Sequence, residues 1–350
     1  MKEPQRILIT GSAGFIGHHL LLALSELPVT VIGLDSVNNY YDPQLKAGRL
    51  SLQGFDLESI TYNTLTQSQE KSNAFFIKLD ITDEPALSNL FQEQSFDVVI
   101  HLAAQAGVRH SLKDPQSYVA SNLVGFANVL ECCRNFKIKH LLFASSSSVY
   151  GNNQKIPFSV KDRTDTPVSF YAATKKANEV MAHSYAHLYQ LPITGMRFFT
   201  VYGPWGRPDM AYFSFAKAIQ EQTTIKIYNH GNMLRDFTYV DDVIQSIIKL
   251  VSLPPKVGEN QSAPIKIFNI GNSQPEHLME LVAILERLLH KKAILDLQPM
   301  PPGDVPATFA DVQDLIEVTD FKPVTSLETG LSHFIRWYTS YYQKQFLPVG

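Results

Sequence analysis

The sequence predicts an α/β fold, a doubly wound parallel sheet with a smaller C-terminal lobe. Three observations carry that prediction. Apolar strand patterns alternate with helical ones as far as Thr200, the order that βαβ units impose. A glycine-rich turn separates the first strand pattern from the first helical one. Beyond Thr200 the alternation breaks into loops and short elements. The expected division is residues 1–190 for the sheet domain and 191–350 for most of the lobe, with some later segments returning to the sheet.

With 350 residues and 45% hydrophobic content, the chain holds enough apolar material for a sizeable core. Lys and Arg total 30 against 33 Asp and Glu, a formal charge of −3, which argues against a nucleic-acid surface. No apolar run approaches the ~18 residues of a membrane span. The first strand pattern starts at once, without a leader. Cys132 and Cys133 are adjacent, and neighbouring cysteines rarely bridge each other. A soluble, reduced, cytoplasmic protein is therefore expected.

Residues 6–10 (RILIT) form a β-rich run that stops at Gly11. Gly11-Ser-Ala-Gly14-Phe-Ile-Gly17 then opens a helix expected over 18–26. In that context a glycine motif becomes a phosphate site, because a helix N-terminus offers unpaired N–H groups and the positive end of a dipole. Residues 29–34 (VTVIGL) make a second strand ending at Asp35. A carboxylate there accepts hydrogen bonds from a ribose 2′-hydroxyl and repels a 2′-phosphate, so NAD is expected rather than NADP. The polar stretch 38–73 resists assignment beyond a short helix at 45–52.

Residues 74–79 (AFFIKL) make the third strand, ending at Asp80, where a side chain can approach an adenine. A helix follows at 83–92, then the fourth strand at 97–101 (DVVIH). Leu102-Ala103-Ala104 come next, small enough to let a dinucleotide lie against the backbone. His101 reads as a histidine satisfied at a strand end rather than as a catalyst. A helix over 116–135 carries Asn122, and 141–144 (LLFA) is the next strand. Ligands of such sheets bind at the carboxyl ends of the strands. Gly11, Asp35, Asp80, Ala103 and the residues after 144 all lie there.

The residues after 144 are Ser145, Ser146, Ser147 and Ser148, then Val149-Tyr150-Gly151. The next helical stretch carries Tyr171-x-x-x-Lys175. Residues four apart share a helix face, so Lys175 is expected under Tyr171. An ammonium near a phenol favours the phenolate, which makes Tyr171 a candidate base at neutral pH.

Together the G-x-x-G-x-x-G loop, Asp35, the serine run and Tyr171-x-x-x-Lys175 resemble the extended short-chain dehydrogenase/reductase superfamily, with its NAD-dependent epimerases and dehydratases. The resemblance covers nearly the whole chain and implies a Rossmann domain that binds NAD tightly. It implies that Tyr171 is the base and that Lys175 binds the nicotinamide ribose. Ser146 is the serine expected to share the substrate's hydroxyl proton. Cofactor contacts are implied for Gly11, Gly14, Phe15, Ile16 and Gly17 in the loop, and for Asp35 and Asn38 after the second strand. Asp80, Ile81, Leu102, Ala103 and Ala104 follow the next two strands, with Asn122, Ser145, Tyr171, Lys175 and Phe199 completing the set. Asp35-Ser-Val-Asn-Asn-Tyr-Tyr-Asp42, Gln105-Ala-Gly-Val-Arg109 and Arg197-Phe-Phe-Thr-Val-Tyr-Gly-Pro-Trp-Gly-Arg-Pro-Asp-Met210 are similar to the UDP-glucuronate 4-epimerases. A homodimer is implied as well, pairing the 116–135 helix, through Leu123, Phe126, Val129 and Leu130, with the Tyr171 helix and its Met181.

In the second half, a strand over 191–199 leads to Thr200. Helices are expected at 210–222, 240–253, 274–290 and 327–342, with short strands at 225–228 and 265–270. Pro254-Pro255 and the polar 257–262 stretch suggest an exposed loop. A nucleotide sugar needs cations for its diphosphate, and a uronic acid needs one more. The planar fork of arginine suits both anions, and Arg207 and Arg235 are the candidates in this half. The resemblance implies Arg235 at the diphosphate or uridine ribose, Asp304 at the ribose, and Thr200 and Arg207 at the sugar end. It adds Arg109, Ser146, Ser147 and Ser148 to the substrate contacts. Asp241-Asp242 is expected to N-cap the following helix rather than to bind metal, and nothing has metal-ligand spacing.

The reaction implied is interconversion of UDP-glucuronate and UDP-galacturonate through a 4-keto sugar. Decarboxylases and dehydratases that resemble this fold usually carry an acidic residue just before the V-Y-G. Here Ser147 and Ser148 stand in those places, which favours plain epimerisation. UDP-glucose or UDP-N-acetylglucosamine 4-epimerisation is the alternative within the class. A non-catalytic NAD-binding sensor is the alternative outside it, and the intact Ser/Tyr/Lys set speaks against that.

Overall fold

A βαβ unit opens the chain: β1 (Arg6–Thr10), α1 (Phe15–Ser25) and β2 (Thr30–Asp35). Next come α2 (Pro43–Leu52), β3 (Leu65–Gln67), β4 (Ala74–Lys78), α3 (Glu84–Gln94) and β5 (Val98–His101). Then α4 (Pro115–Tyr118), a π-turn over Val119–Val124 and α5 (Gly125–Asn135) lead to β6 (His140–Ser146). The long helix α6 (Phe170–Tyr189) precedes β7 (Ile193–Phe198). The chain continues through β8 (Thr200–Tyr202), α7 (Ala211–Glu221), β9 (Thr224–Ile227), β10 (Leu234–Tyr239) and α8 (Val240–Val251). It closes with β11 (Ile265–Ile270), β12 (Pro275–His277), α9 (Leu278–Leu289), β13 (Ile294–Leu297), β14 (Ala307–Thr308), α10 (Gln313–Thr319) and α11 (Leu327–Phe346). This computed structural model describes residues 5–258, 262–300 and 307–346.

Two compact units divide the chain. The first is Met1–Gly151 with Arg163–Arg197 and Ile244–Phe268; the second is Asn152–Asp162 with Phe198–Val243 and Asn269–Gly350. The main sheet has eight strands in the order β11-β7-β6-β5-β1-β2-β4-β3. β4, β2, β1, β5 and β6 pair in parallel, and β3 pairs antiparallel with β4. From β1 the chain winds out to β4, then returns to the other side of β1 with β5, the doubly wound order of a Rossmann-like sheet. Ile7, Leu8, Ile9, Val31, Ile32, Val98, Val99 and Ile100 are all buried, as helices on both faces require. In the second unit β8 pairs with β10, which also pairs with β12 and β14, while β9 pairs with β13.

The structure corrects several expectations. α1 starts at Phe15 rather than residue 18, with Gly14 as its N-cap, so Phe15, Ile16 and Gly17 form its first turn. The helix expected over 116–135 forms, from Pro115 to Asn135, with a π-helical stretch over Val119–Val124 that contains Asn122. Phe126, Val129 and Leu130 do not face outward; they are fully buried in the first unit's own core, against which Met181 packs half-buried. The large apolar side chains that these helices expose are Val124, Phe170, Val180, Leu188 and Tyr189. Residues 275–277 are strand, not the start of a helix, because they pair with β10. Asp241 and Asp242 do not cap α8 but lie in its first turn, where Asp242 accepts from Thr325 N at 3.0 Å. Within 38–73, α2 begins at Pro43 under an Asp42 cap, and β3 adds an edge strand. Asp304, and residues 259–261 of the expected loop, lie outside the described residues.

Candidate active site

In the first unit the carboxyl ends of β1, β2, β4, β5 and β6 bring the predicted cofactor residues to one edge. Gly11 has φ +77°, and a Cβ on it would sit 2.8 Å from Ala103 N and 2.9 Å from the Leu102 carbonyl carbon. The glycine loop thus packs directly on the 102–104 backbone. Gly17 is equally constrained, since its Cβ would stand 2.2 Å from Gly11 O. α1 has no side-chain cap and no acidic residue in its first turn, so nothing in the helix opposes an anion at its positive end.

Asp35 is buried and organises this edge. Its Oδ2 accepts from Ala13 N at 3.1 Å, its Oδ1 accepts from Val37 N at 2.8 Å, and Lys46 Nζ lies 3.9 Å away. A carboxylate has about four lone-pair sites, so two backbone bonds leave capacity for a ribose hydroxyl. Asn38 is exposed and accepts from Lys46 Nζ at 2.8 Å. Asp80 Oδ1 accepts from Thr82 N and Oγ1, at 2.9 and 2.7 Å. The Ile81 side chain belongs to the core, close to Gly125, while its carbonyl accepts from Asn128 Nδ2 at 3.0 Å. An uncapped helix end, a glycine cradle and a buried acceptor after β2 fit a dinucleotide.

Two side chains of this cradle had no signal in the sequence. Arg49, fully buried on α2, donates to Ala13 O at 2.9 Å and to the Tyr41 hydroxyl, and Gln53 Nε2 donates to Ser12 O at 3.1 Å. Both loop carbonyls are thereby turned toward donors, and the partial charges that would oppose a phosphate are compensated.

The residues predicted to react sit where β6 meets α6. Tyr171 is half-buried in the first turn of α6, its ring edge-on to Tyr118 at 6.1 Å between centroids. Tyr118 in turn donates toward the carbonyls of Ala106 and Gly107, at 2.8 and 2.6 Å. Lys175, one turn on, is buried and its Nζ donates to Ala144 O at 2.9 Å; burial pushes its pKa down to about 8. Ser145 Oγ donates to Glu179 Oε1 at 2.7 Å, so its hydroxyl is taken up within the fold. Ser146 is half-buried, and its Oγ accepts from Ser148 N at 3.2 Å and lies 2.9 Å from Ser148 Oγ. Asn122 fastens the 105–109 loop to α6: its side chain bonds Gln105 N and O, at 2.8 and 3.0 Å, and Thr174 Oγ1 at 3.0 Å. His101 pairs with Thr10 Oγ1 at 2.9 Å, and burial, then the Lys175 charge, holds its pKa down to about 3. Neutral and satisfied, it is a structural histidine. Arg109 is exposed on the loop before His110.

In the second unit Thr200 opens β8 opposite Phe237, and Phe199 is buried 6.4 Å from the Phe158 ring. Arg207 makes a two-pronged ion pair with Asp209, Nε to Oδ1 at 3.0 Å and Nη2 to Oδ2 at 2.6 Å. Any carboxylate reaching Arg207 shares it with Asp209. Arg235, half-buried on β10, donates to Leu234 O at 2.9 Å and approaches Met233 Sδ at 3.9 Å.

Comparison with known proteins adds to this geometry. The sequence model of the NAD dependent epimerase/dehydratase family matches residues 7–271. The chain is 50% identical to Protein CapI of Staphylococcus aureus, over 97% of this chain and 100% of that one. It is 47% identical to UDP-glucuronate 4-epimerase 4 of Arabidopsis thaliana, over 96% of this chain and 76% of the plant protein. Among solved structures it resembles UDP-glucuronic acid 4-epimerase from Bacillus cereus, in complex with UDP-glucuronic acid and NAD, with a TM-score of 0.84. That likeness has 32% identity and covers 97% of this chain and 100% of the other.

Proposed function

The chain belongs to the NAD dependent epimerase/dehydratase family, and from that premise we propose that it interconverts UDP-glucuronate and UDP-galacturonate by epimerisation at carbon 4. The observation that carries this reading is the 47% identity, across 96% of the chain, to a named UDP-glucuronate 4-epimerase. The protein is an isomerase and NAD is its cofactor. Held by the glycine loop and Asp35, NAD would supply a reversible hydride acceptor for carbon 4.

The chain's own residues bind, orient and move the proton. The first-turn N–H groups of α1 hold the pyrophosphate and Asp35 holds the adenosine ribose. Tyr171 takes the 4-hydroxyl proton as the 4-keto sugar forms, and returns it once the sugar has turned over. Lys175, one turn along the same helix, supplies positive charge that favours the phenolate. Ser146 shares the proton in transit. Ser147 and Ser148 hydrogen-bond the sugar carboxylate and hold its carbon–carbon bond out of line with the carbonyl π-system, which prevents loss of carbon dioxide. Arg207 neutralises the carboxylate and Arg235 the diphosphate.

The same reading includes a homodimer in the cytoplasm. Exposed Val124, Val180 and Leu188 on neighbouring helices support a two-fold contact, and sedimentation as a monomer at micromolar concentration would count against it. Both cysteines are buried and unbridged, as suits a reducing compartment. No helix among the described residues is long and apolar enough to cross a membrane. Incubation with UDP-glucuronate, UDP-glucose and UDP-N-acetylglucosamine, read by NMR, tests the function. UDP-galacturonate is the expected product; conversion of the neutral sugars alone would overturn the assignment.

A further inference from the structure

Tyr171, Lys175 and Glu179 are spaced four apart on α6 and share a face. The lower two both reach the end of β6, Lys175 through Ala144 O and Glu179 through the Ser145 hydroxyl. β7 adds Arg197, a charged residue in the otherwise uncharged strand ITGMRF. Its Nε and Nη2 donate to the two oxygens of Glu179, at 2.8 and 2.9 Å. Its Nη1 donates to the Tyr150 hydroxyl at 3.0 Å, and its guanidinium lies 4.8 Å from the Tyr150 ring centroid. The Glu179 and Arg197 side chains are 3% and 4% exposed.

The segment that holds Ser146, Ser147 and Ser148 is therefore fastened at both ends, at Ser145 and at Tyr150, to one buried ion pair. Such a pair adds little stability over apolar side chains of the same volume, so stability alone gives no account of it here. Arg197, with Lys176 Nζ 3.7 Å from Oε2, also takes up the charge of Glu179, which otherwise stands four residues from Lys175 in the register of a helix salt bridge. With both carboxylate oxygens engaged, Lys175 stays on Ala144 O.

We propose that Glu179 and Arg197 are positioning residues that hold Ser146 and Lys175 in register with Tyr171, and so govern turnover rather than binding. The inference rests on the reading of those three residues as the catalytic set.

The test uses the full chain with its NAD. Ser145→Ala and Tyr150→Phe each cut one link and leave the ion pair intact; Glu179→Ala removes the anchor, and Glu179→Gln keeps an oxygen for Ser145. Ser145→Ala and Glu179→Ala should lower kcat about 10- to 100-fold, with KM for UDP-glucuronate within about twofold and NAD content unchanged. Glu179→Gln, which keeps the oxygen for Ser145 but sets an amide N–H2 against Arg197 Nη2, should recover part of the rate lost in Glu179→Ala. Wild-type kcat in both Ser145→Ala and Tyr150→Phe would overturn the proposal, as would a loss of kcat that follows loss of NAD. If Glu179→Ala does not fold, the Ser145 and Tyr150 variants decide. A wild-type protein that turns over a different UDP-sugar would overturn the substrate reading alone, and the same variants would then be compared on that sugar.

Discussion

Tyr171 and Lys175 sit one helical turn apart, and the fold treats them differently. Lys175 is buried and bonded to Ala144 O, whereas Tyr171 is half-buried and steadied by the edge of Tyr118. The proposed base therefore keeps part of its surface exposed, while the lysine does not. Tyr171→Phe should keep NAD and the fold but lower kcat by roughly 10²–10⁴-fold, the usual contribution of a general base; a variant retaining near wild-type kcat would remove Tyr171 from that role. Arg207 poses the question of substrate choice. Arg207 is partly exposed and already holds Asp209. Its loss should cost less than the ~2–5 kcal/mol of a fully desolvated charge pair, while a neutral hydroxymethyl group never made that bond. Arg207→Ala should therefore lower kcat/KM for UDP-glucuronate far more than for UDP-glucose, with some carbon dioxide released from a loosely held carboxylate. Equal losses on both sugars would assign Arg207 to the diphosphate or to its ion pair with Asp209.

At the scale of the element, the glycine loop shows how closely helix and sheet are matched. Gly17→Ala would drive a Cβ to 2.2 Å from Gly11 O, so the first turn of α1 must move off the loop. NAD should be lost from the purified variant, read from its absorbance after denaturation, and the melting temperature should fall through both the backbone shift and the lost ligand; full NAD occupancy would contradict the close-packed loop. This motif was legible because glycine spacing and strand-turn-helix order are local signals. The π-turn at Val119–Val124 was not, because the apolar pattern runs through it unbroken and the extra residue shows only in the backbone. β10 was missed because Arg235 and Asp236 look like loop residues. Asp236 is in fact fully buried, its carboxylate accepting from Asn272 N, Ser273 N and Ala310 N at 2.7, 3.0 and 3.0 Å. Its partners come from distant parts of the chain, and local patterns do not report them. Glu179 and Arg197 had a faint signal, since a charge within an apolar strand must find a partner. The outward apolar face was misassigned because α5 carries one strong stripe, and that stripe packs into its own core.

For the whole molecule, three buried histidines tie stability to pH. Burial holds His101 down to about 3 and His140 down to about 4, and keeps His18 well below its ordinary 6.5. Between those values and 6.5 the unfolded chain binds protons that the folded chain refuses, so stability falls as pH drops through that window. The melting temperature should decline from about pH 6.5 toward pH 4 and be insensitive to these groups above about pH 7.5; a flat profile down to pH 4 would mean that the histidines are solvated. The central claim is that one bound NAD removes and restores the hydrogen at carbon 4 within a single turnover. Its most direct measurement supplies UDP-glucuronate deuterated at carbon 4, in ordinary water, and reads the product by NMR. Deuterium retained at carbon 4 of UDP-galacturonate is the predicted result. Washout of the label into solvent, or a keto-pentose formed with carbon dioxide, would contradict it.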